Sequence, residues 1–515
     1  MRDPLPRLTD GPSIYELVRD DLDGLGRLTT PRLKLPDEPE PAPGDLPWAH
    51  GALDGVNERF GREADPVQAA VVASALVAAL REPTPPRLWD LHLLLQEEGA
   101  AGYVEPLLDQ LVATRPDPEA LSGLATWLAT TSAHRDPVKI GLTLLGLIGT
   151  DAVRDVVLTL GAHEELTRQA ALALHRGSSS PDRDVWTLAQ RVEEWGRIEC
   201  VHLLRGTTDP EIKDWLLRDG YRNGVLLEYL AFTAASTGDL LGALRRPGVD
   251  RALLTSAGEI IEAVIEGGPA EDLGDLGEAP ALLDAYLDLL AERAETVVDL
   301  DAAVAILTVL LDEHPTAASE IAWPEADRAR IAGKAAHVVG FAFWPDVVRE
   351  ALAADARGTF HRANRVAPRV GVDTFDLHLD RVRADPTGSS WFHAWQVADT
   401  ERRRDVLVGV ARDVFLPDGP DDTPVVDVGV GVAWRSPLDW TLQELRSHPG
   451  LGADLVLLGL TRSQNPNMAL QVLGRWPVVA WPVGATDALT RLRGCGLDSY
   501  RDSHVEGLLR RATTE

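Results

Sequence analysis

The sequence predicts an all-α protein, an α-solenoid of stacked helical pairs preceded by an extended N-terminal arm. Three observations predict it: a repeat of 29 residues, helical apolar periodicity along most of the chain, and a composition rich in Leu and Ala. Arg168, Leu174, Arg176, Gly177, Pro181 and Trp186 recur as Arg197, Leu203, Arg205, Gly206, Pro210 and Trp215. Ala171 over Cys200 and Leu172 over Val201 add small or apolar matches. A fixed period of about 20–50 residues marks stacked repeats, because one such unit cannot bury its apolar face alone.

Each repeat reads as two helices. Leu166, Ala170, Ala171 and Leu174 follow an i, i+4, i+5, i+8 spacing and share one face, while Glu164, Glu165, Arg168 and Arg176 fall largely on the other. Gly177 stands where a left-handed C-terminal cap calls for a residue without Cβ. Ser178 to Ser180 make the turn, and Pro181 enters the next helix where its missing N–H costs nothing. Trp186, Leu188, Ala189 and Val192 form the apolar stripe that follows.

Three regions are expected. Residues 1–64 form an arm: a short helix over 14–25, then the Pro- and acid-rich linker Leu35-Pro36-Asp37-Glu38-Pro39-Glu40-Pro41-Ala42-Pro43. Residues 65–387 form the helical repeats, with helices expected over 67–80, 88–97, 104–113, 119–130 and 138–148, the clearest repeats at 151–238, and further helices over 253–265, 281–295, 302–311, 326–339, 346–354, 362–368 and 375–384. Residues 388–515 form an irregular helical region that continues the array, with helices over 402–414, 438–446, 455–460, 468–473, 485–493 and 503–510. A Gly-, Pro- and Val-rich break from Pro417 to Val432 reads as a loop with one short extended segment.

Composition excludes several classes of function. The net charge is −30, from 80 acidic and 50 basic residues. That charge repels phosphate backbones and anionic lipid surfaces, and the run Arg402-Arg403-Arg404 reads as a solvated helix face. No nucleic-acid or membrane partner is expected. Two cysteines cannot build a disulfide framework, and Cys200 lies on an apolar stripe. The opening residues MRDPLPRLTD hold no apolar signal core, and no apolar run reaches the roughly 18 residues of a membrane span. A cytoplasmic protein is the expectation.

The chemical motifs fail one by one. His163-Glu164-Glu165-Leu166-Thr167 lacks the second His of a zinc-protease helix and reads as a helix start with carboxylates at the positive end of the dipole. Gly429-Val430-Gly431-Val432-Ala433-Trp434 puts Trp where a dinucleotide fingerprint needs its third Gly. Asp418, Asp421, Asp422 and Asp427 do not match the spacing of a calcium loop. Leu492-Arg493-Gly494-Cys495-Gly496 has no Phe upstream, as a thiolate-haem site requires. No catalytic, cofactor-binding or metal-ligating residue is assigned, and no cofactor is expected.

Tryptophan usage is the remaining signal: 14 Trp outnumber 8 Phe and 6 Tyr. Trp391 and Trp395 share a helix face, Trp434 and Trp440 flank a Pro turn, and Trp476 and Trp481 bracket another. Such residues either fill an inter-repeat core or line a groove for a partner or an apolar ligand.

The block Leu438-Asp439-Trp440-Thr441-Leu442-Gln443-Glu444-Leu445, His448-Pro449-Gly450, Asn465-Pro466-Asn467-Met468-Ala469-Leu470, Val472-Leu473 and Trp476 resembles a bacterial HEAT-like helical-repeat family of actinobacteria and bacilli. Asp214-Trp215-Leu216-Leu217-Arg218-Asp219-Gly220, Asn223 and Glu228-Tyr229-Leu230-Ala231 look like a second block of it. The resemblance covers most of residues 130–480 and implies a solenoid of HEAT-like helical pairs. Some members carry the label limonene hydroxylase, yet the chain shows none of the haem, flavin or iron motifs that oxygen chemistry requires. A 2-His-1-carboxylate iron site stays open at this point.

The sequence reading is therefore a protein-binding scaffold or adaptor without catalysis, whose partner is another protein. Recognition is expected in the C-terminal third, at a candidate interaction surface of Trp391, Trp395, Trp434, Trp440, Asn465, Asn467 and Trp476, because irregular loops on a rigid array tend to carry binding residues. The alternative is a limonene hydroxylase-like oxidoreductase acting on a small apolar terpene.

Overall fold

The computed structural model describes residues 8, 11–40, 48–53, 55, 65–96, 100–268, 270–311, 323–354, 356–416, 437–461, 466–493 and 499–514, and these are organised as helices without a strand. A lone antiparallel bridge pairs Leu22 with Leu28. The chain divides into two compact units, Met1–Val366 and Ala367–Glu515.

Helix starts follow from local chemistry. Asp65, Asp117, Asp209 and Asp250 each accept backbone N–H bonds in the first turn of the helix they precede, satisfying donors that have no partner inside the helix. Pro66, Pro118, Pro181 and Pro210 occupy the first helical position, as read at Pro181 from sequence. The Gly at the end of each repeat serves two different purposes. Gly206 is left-handed, with φ of 79°. Gly177 is not: it closes helix Glu164–Gly177 with helical backbone. An added Cβ there would lie 3.0 Å from the Gly146 carbonyl oxygen and 3.2 Å from the Thr150 amide nitrogen. The left-handed cap expected at Gly177 is thus replaced by a close approach of two helices.

Within Met1–Val366, alternate helices pack on one another in a row whose last step passes over two helices, Glu325–Val339 and Trp344–Ala353. Helix Pro66–Arg81 meets Ala100–Thr114, which meets Arg135–Ile148, then Glu164–Gly177, Trp195–Leu203, Glu228–Thr237, Arg251–Glu266, Val297–Leu310 and Arg357–Val366. Leu142, Leu145, Ala170, Leu174, Val201, Leu230, Leu254 and Leu300 are fully buried along this row. Intervening helices such as Pro118–Thr131, Arg154–Gly161 and Pro181–Ala189 pack on its flank. The polar faces bind the neighbouring repeat: Lys139 to Glu165 at 2.8 Å, Arg154 to Asp184 at 2.6 Å, Arg168 to Glu199 at 3.3 Å, Arg183 to Glu211 at 2.6 Å and Arg218 to Asp250 at 3.0 Å. The partners lie 26 to 32 residues apart, one repeat on. Glu164 goes further. Its carboxylate accepts the backbone N–H groups of Glu193 at 2.8 Å, Glu194 at 2.9 Å and Gly196, and so caps helix Trp195–Leu203 from the preceding repeat.

In Ala367–Glu515 the same alternation runs from Ser390–Gln396 to Pro437–Leu445, Asn467–Arg475 and Ser499–Thr514. One apolar core holds Trp391, Leu407, Leu442, Leu455, Leu470, Trp476 and Leu489 together.

Candidate functional site

The arm does not hang free. It first anchors and then runs over the surface of the helices. Ser13 and Glu16 form a reciprocal capping box at the start of helix Ile14–Asp21. Ile14 and Val18 are fully buried against helices Pro118–Thr131 and Arg154–Gly161. Asp21 then accepts hydrogen bonds from the amides and hydroxyls of both Thr29 and Thr30, which closes the following turn.

Residues 32–40 cross the N-terminal ends of three successive helices of the row. Arg32 reaches Glu194, at the head of helix Trp195–Leu203, at 3.8 Å. The Leu33 carbonyl accepts from Nε2 of His163, the N-cap of helix Glu164–Gly177, at 2.8 Å. Asp37 accepts from both the amide (2.8 Å) and Nε (3.3 Å) of Arg135, the first residue of helix Arg135–Ile148. His134, the N-cap of that helix, makes no side-chain cap of its own, so the arm supplies the acceptor. Leu35 is the one buried apolar residue of the segment, and Glu38 folds back to accept the Leu35 amide at 3.1 Å and to meet His50 at 3.0 Å. The chain then returns over the same helices, the Gly51 amide donating to Glu165 at 3.0 Å.

The electrostatics follow from this packing. Burial pushes the His163 imidazole down to about 4. It is therefore neutral near pH 7, with Nδ1 accepting the Glu165 amide while Nε2–H holds Leu33. The His50 ring lies 4.8 Å from the His163 ring. Burial works against the charged form of Glu165, but Lys139, the Gly51 amide and Arg135 outweigh it and hold the carboxyl below its usual range. For Glu164 burial prevails over the three amides and the pKa rises. Beneath the arm, Arg135 and Lys139 share the Glu165 carboxylate, His163 is neutral, and the N-terminus of helix Arg135–Ile148, without a side-chain cap of its own, takes the carboxylate of Asp37.

The C-terminal Trp residues lie elsewhere. Trp391, Trp395 and Trp476 are buried, and their indole N–H groups are used internally: Trp391 donates to Pro386 O (2.9 Å), Trp395 to Thr441 Oγ1 (3.2 Å) and Trp476 to Leu445 O (2.8 Å). These three pin successive core elements and offer no surface, which corrects their reading as interaction residues. A buried Trp gives its area to the core and finds its N–H a nearby acceptor. Trp440 is partly buried against the same core, 6.4 Å from the Phe392 ring, and Asn467 opens helix Asn467–Arg475. Trp434 and Asn465, with the Gly- and Val-rich break, lie outside the described residues.

A second polar cluster had no sequence signal. Glu262 and Asp301 are buried, and both are bridged by Arg362 and Arg365, one helical turn apart. Burial, then Glu262, raises the Asp301 pKa against the two guanidinium groups. Glu228, Glu259, Glu262, Glu266, Arg362 and Arg365 border a cavity of about 270 Å³. Among the described residues, no three His, Cys, Asp or Glu side chains group as metal ligands, and no helix is long and apolar enough to cross a membrane.

No protein-family model and no curated protein matches the chain. Among solved structures, the crystal structure of an engineered protein is similar to 86% of this chain and 98% of its own, at 15% identity and a TM-score of 0.23. A score that low establishes no common fold.

Proposed function

We propose that the protein is a binding scaffold, a solenoid of HEAT-like helical pairs that holds a partner protein and performs no chemistry of its own. One observation carries this reading: the helical row already holds a non-helical segment, its own residues 32–40, across the N-terminal ends of three successive helices. A stack that presents equivalent helix ends at regular spacing is a natural peptide-binding surface. The net charge of −30 favours a protein partner over nucleic acid. The groove bordered by Glu228, Glu259, Glu262, Glu266, Arg362 and Arg365, with Leu227 and Ala263, suits charged groups.

The test is to screen the purified full-length protein against a displayed peptide library and, in parallel, to incubate it with limonene, NADH or NADPH and oxygen. Selected peptides that bind with dissociation constants in the micromolar range, and no hydroxylated product, are expected. A hydroxylated terpene formed in proportion to protein concentration overturns the scaffold reading.

A further inference from the structure

We propose that residues 32–40 occupy in cis a surface that recognises an acidic, turn-forming segment of a partner protein, one carrying a leucine two residues before an aspartate. The proposal rests on the scaffold reading and names the partner's chemistry.

Two parts of the arm are held in different ways. Helix Ile14–Asp21 is part of the core, with Ile14 and Val18 at 0% exposure. Residues 32–40 are attached by a single buried apolar plug, Leu35, one backbone carbonyl on His163, the carboxylates of Asp37 on Arg135 and of Glu38 on His50, and the Arg32 guanidinium 3.8 Å from Glu194. Arg32, Lys34, Pro36, Pro39 and Glu40 are exposed. For residues 32–40 to be displaced, the helix must stay anchored.

The receptor side also reads as a recognition surface. Helix Arg135–Ile148 starts at a residue whose N-cap, His134, provides no side-chain acceptor, and its first amide is answered by Asp37, 98 residues distant in sequence. The same carboxylate takes the Arg135 guanidinium, so a charge-assisted contact and a helix cap coincide at one acid. Pro36 stands at the second position of a turn that the Glu38 amide closes on the Leu35 carbonyl at 3.1 Å, where its fixed φ is favourable. A tethered segment of this kind acts at an effective concentration on the order of millimolar. A free ligand must therefore displace it, and weakening the arm's own contacts opens the surface.

The experiment uses the full-length chain and a labelled peptide copying residues 31–40, with binding followed by fluorescence anisotropy. Binding to the Asp37→Ala/Glu38→Ala variant should be at least tenfold tighter than to the wild type. Adding Arg135→Ala to that variant should abolish the gain. Far-UV circular dichroism melts establish that each variant is folded. Equal binding to wild type and double variant overturns the proposal, as does no binding to a folded double variant. Loss of the cooperative melt on Asp37→Ala/Glu38→Ala also overturns it, since the segment is then a brace. If library-selected peptides bind the double variant but ignore Arg135→Ala, this surface is ruled out while the scaffold reading stands. If no peptide binds anywhere, both fall.

Discussion

Trp186 and Trp215 stand 29 residues apart and meet edge to face, their ring centroids 6.3 Å apart and their planes at 67°. The sequence period is thus a spatial contact between neighbouring repeats. Arg183 lies over the Trp186 ring at 5.3 Å and Arg197 over the Trp215 ring at 5.9 Å, so each indole also carries a cation on its face.

Such an aromatic pair contributes about 0.5–1.5 kcal/mol beyond its buried area. A double-mutant cycle of Trp186→Leu and Trp215→Leu, read by urea melts, should show a coupling of that size. Strict additivity would mean that the rings touch without interacting.

The glycines at 177 and 206 should respond differently to substitution. Gly206→Ala costs about 1 kcal/mol because φ is positive there with open space around it, and Gly206→Asn recovers most of the loss. Gly177→Ala should cost roughly 1–3 kcal/mol through overpacking against Gly146 and Thr150, and Gly177→Asn should be worse still. Thermal melts of the four variants test this. An Asn that rescues both positions would show that the two ends share one conformation.

Arg362→Ala should be strongly destabilising, by about 3–5 kcal/mol, because it leaves Glu262 and Asp301 buried beside one remaining guanidinium. Adding Asp301→Asn should restore a large part of the loss by removing one buried charge. Denaturant midpoints decide it: if the second substitution makes matters worse, the cluster is held by something other than charge balance.

Acid should weaken the protein through His163. Its folded pKa is about 4, below the ordinary value of 6.5, so the unfolded chain binds more protons between those limits. Stability is then complete above about pH 6.5, falls as the pH drops towards 4, and levels off below. The contribution amounts to about 3 kcal/mol. His163→Asn keeps a side-chain acceptor at the N-cap and should flatten part of the acid loss. The check is the difference in melting temperature between wild type and variant from pH 7 to pH 4. A constant difference across that range would exonerate His163.

The local part of this structure was legible because helices are encoded locally. Apolar spacing near 3.6 residues marks many helices to within a turn: expected 138–148 became Arg135–Ile148, expected 253–265 became Arg251–Glu266, and expected 402–414 became Glu401–Phe415, whereas expected 302–311 starts five residues earlier, as Val297–Leu310, and expected 362–368 became Arg357–Val366. The candidate site was not legible. Asp37 to Arg135 spans 98 residues and Leu33 to His163 spans 130, and no periodic pattern states which acid meets which base at such separations. Likewise, Trp391 and Trp476 look the same in sequence whether they face a groove or a core. Packing chose the core, where each indole N–H found a carbonyl.

The sequence by itself determined the helices and the 29-residue register, since each depends on residues a few positions apart or on a repeat of them, whereas the caps at Trp195 and Arg135 come from Glu164 and Asp37, far along the chain. Tertiary structure alone decided where the arm lies, which charges pair and which aromatics are hidden. Those depend on desolvation and on contacts between distant segments, and the free energy of burying Leu35, Glu262 or Trp476 is set by what the fold brings against them.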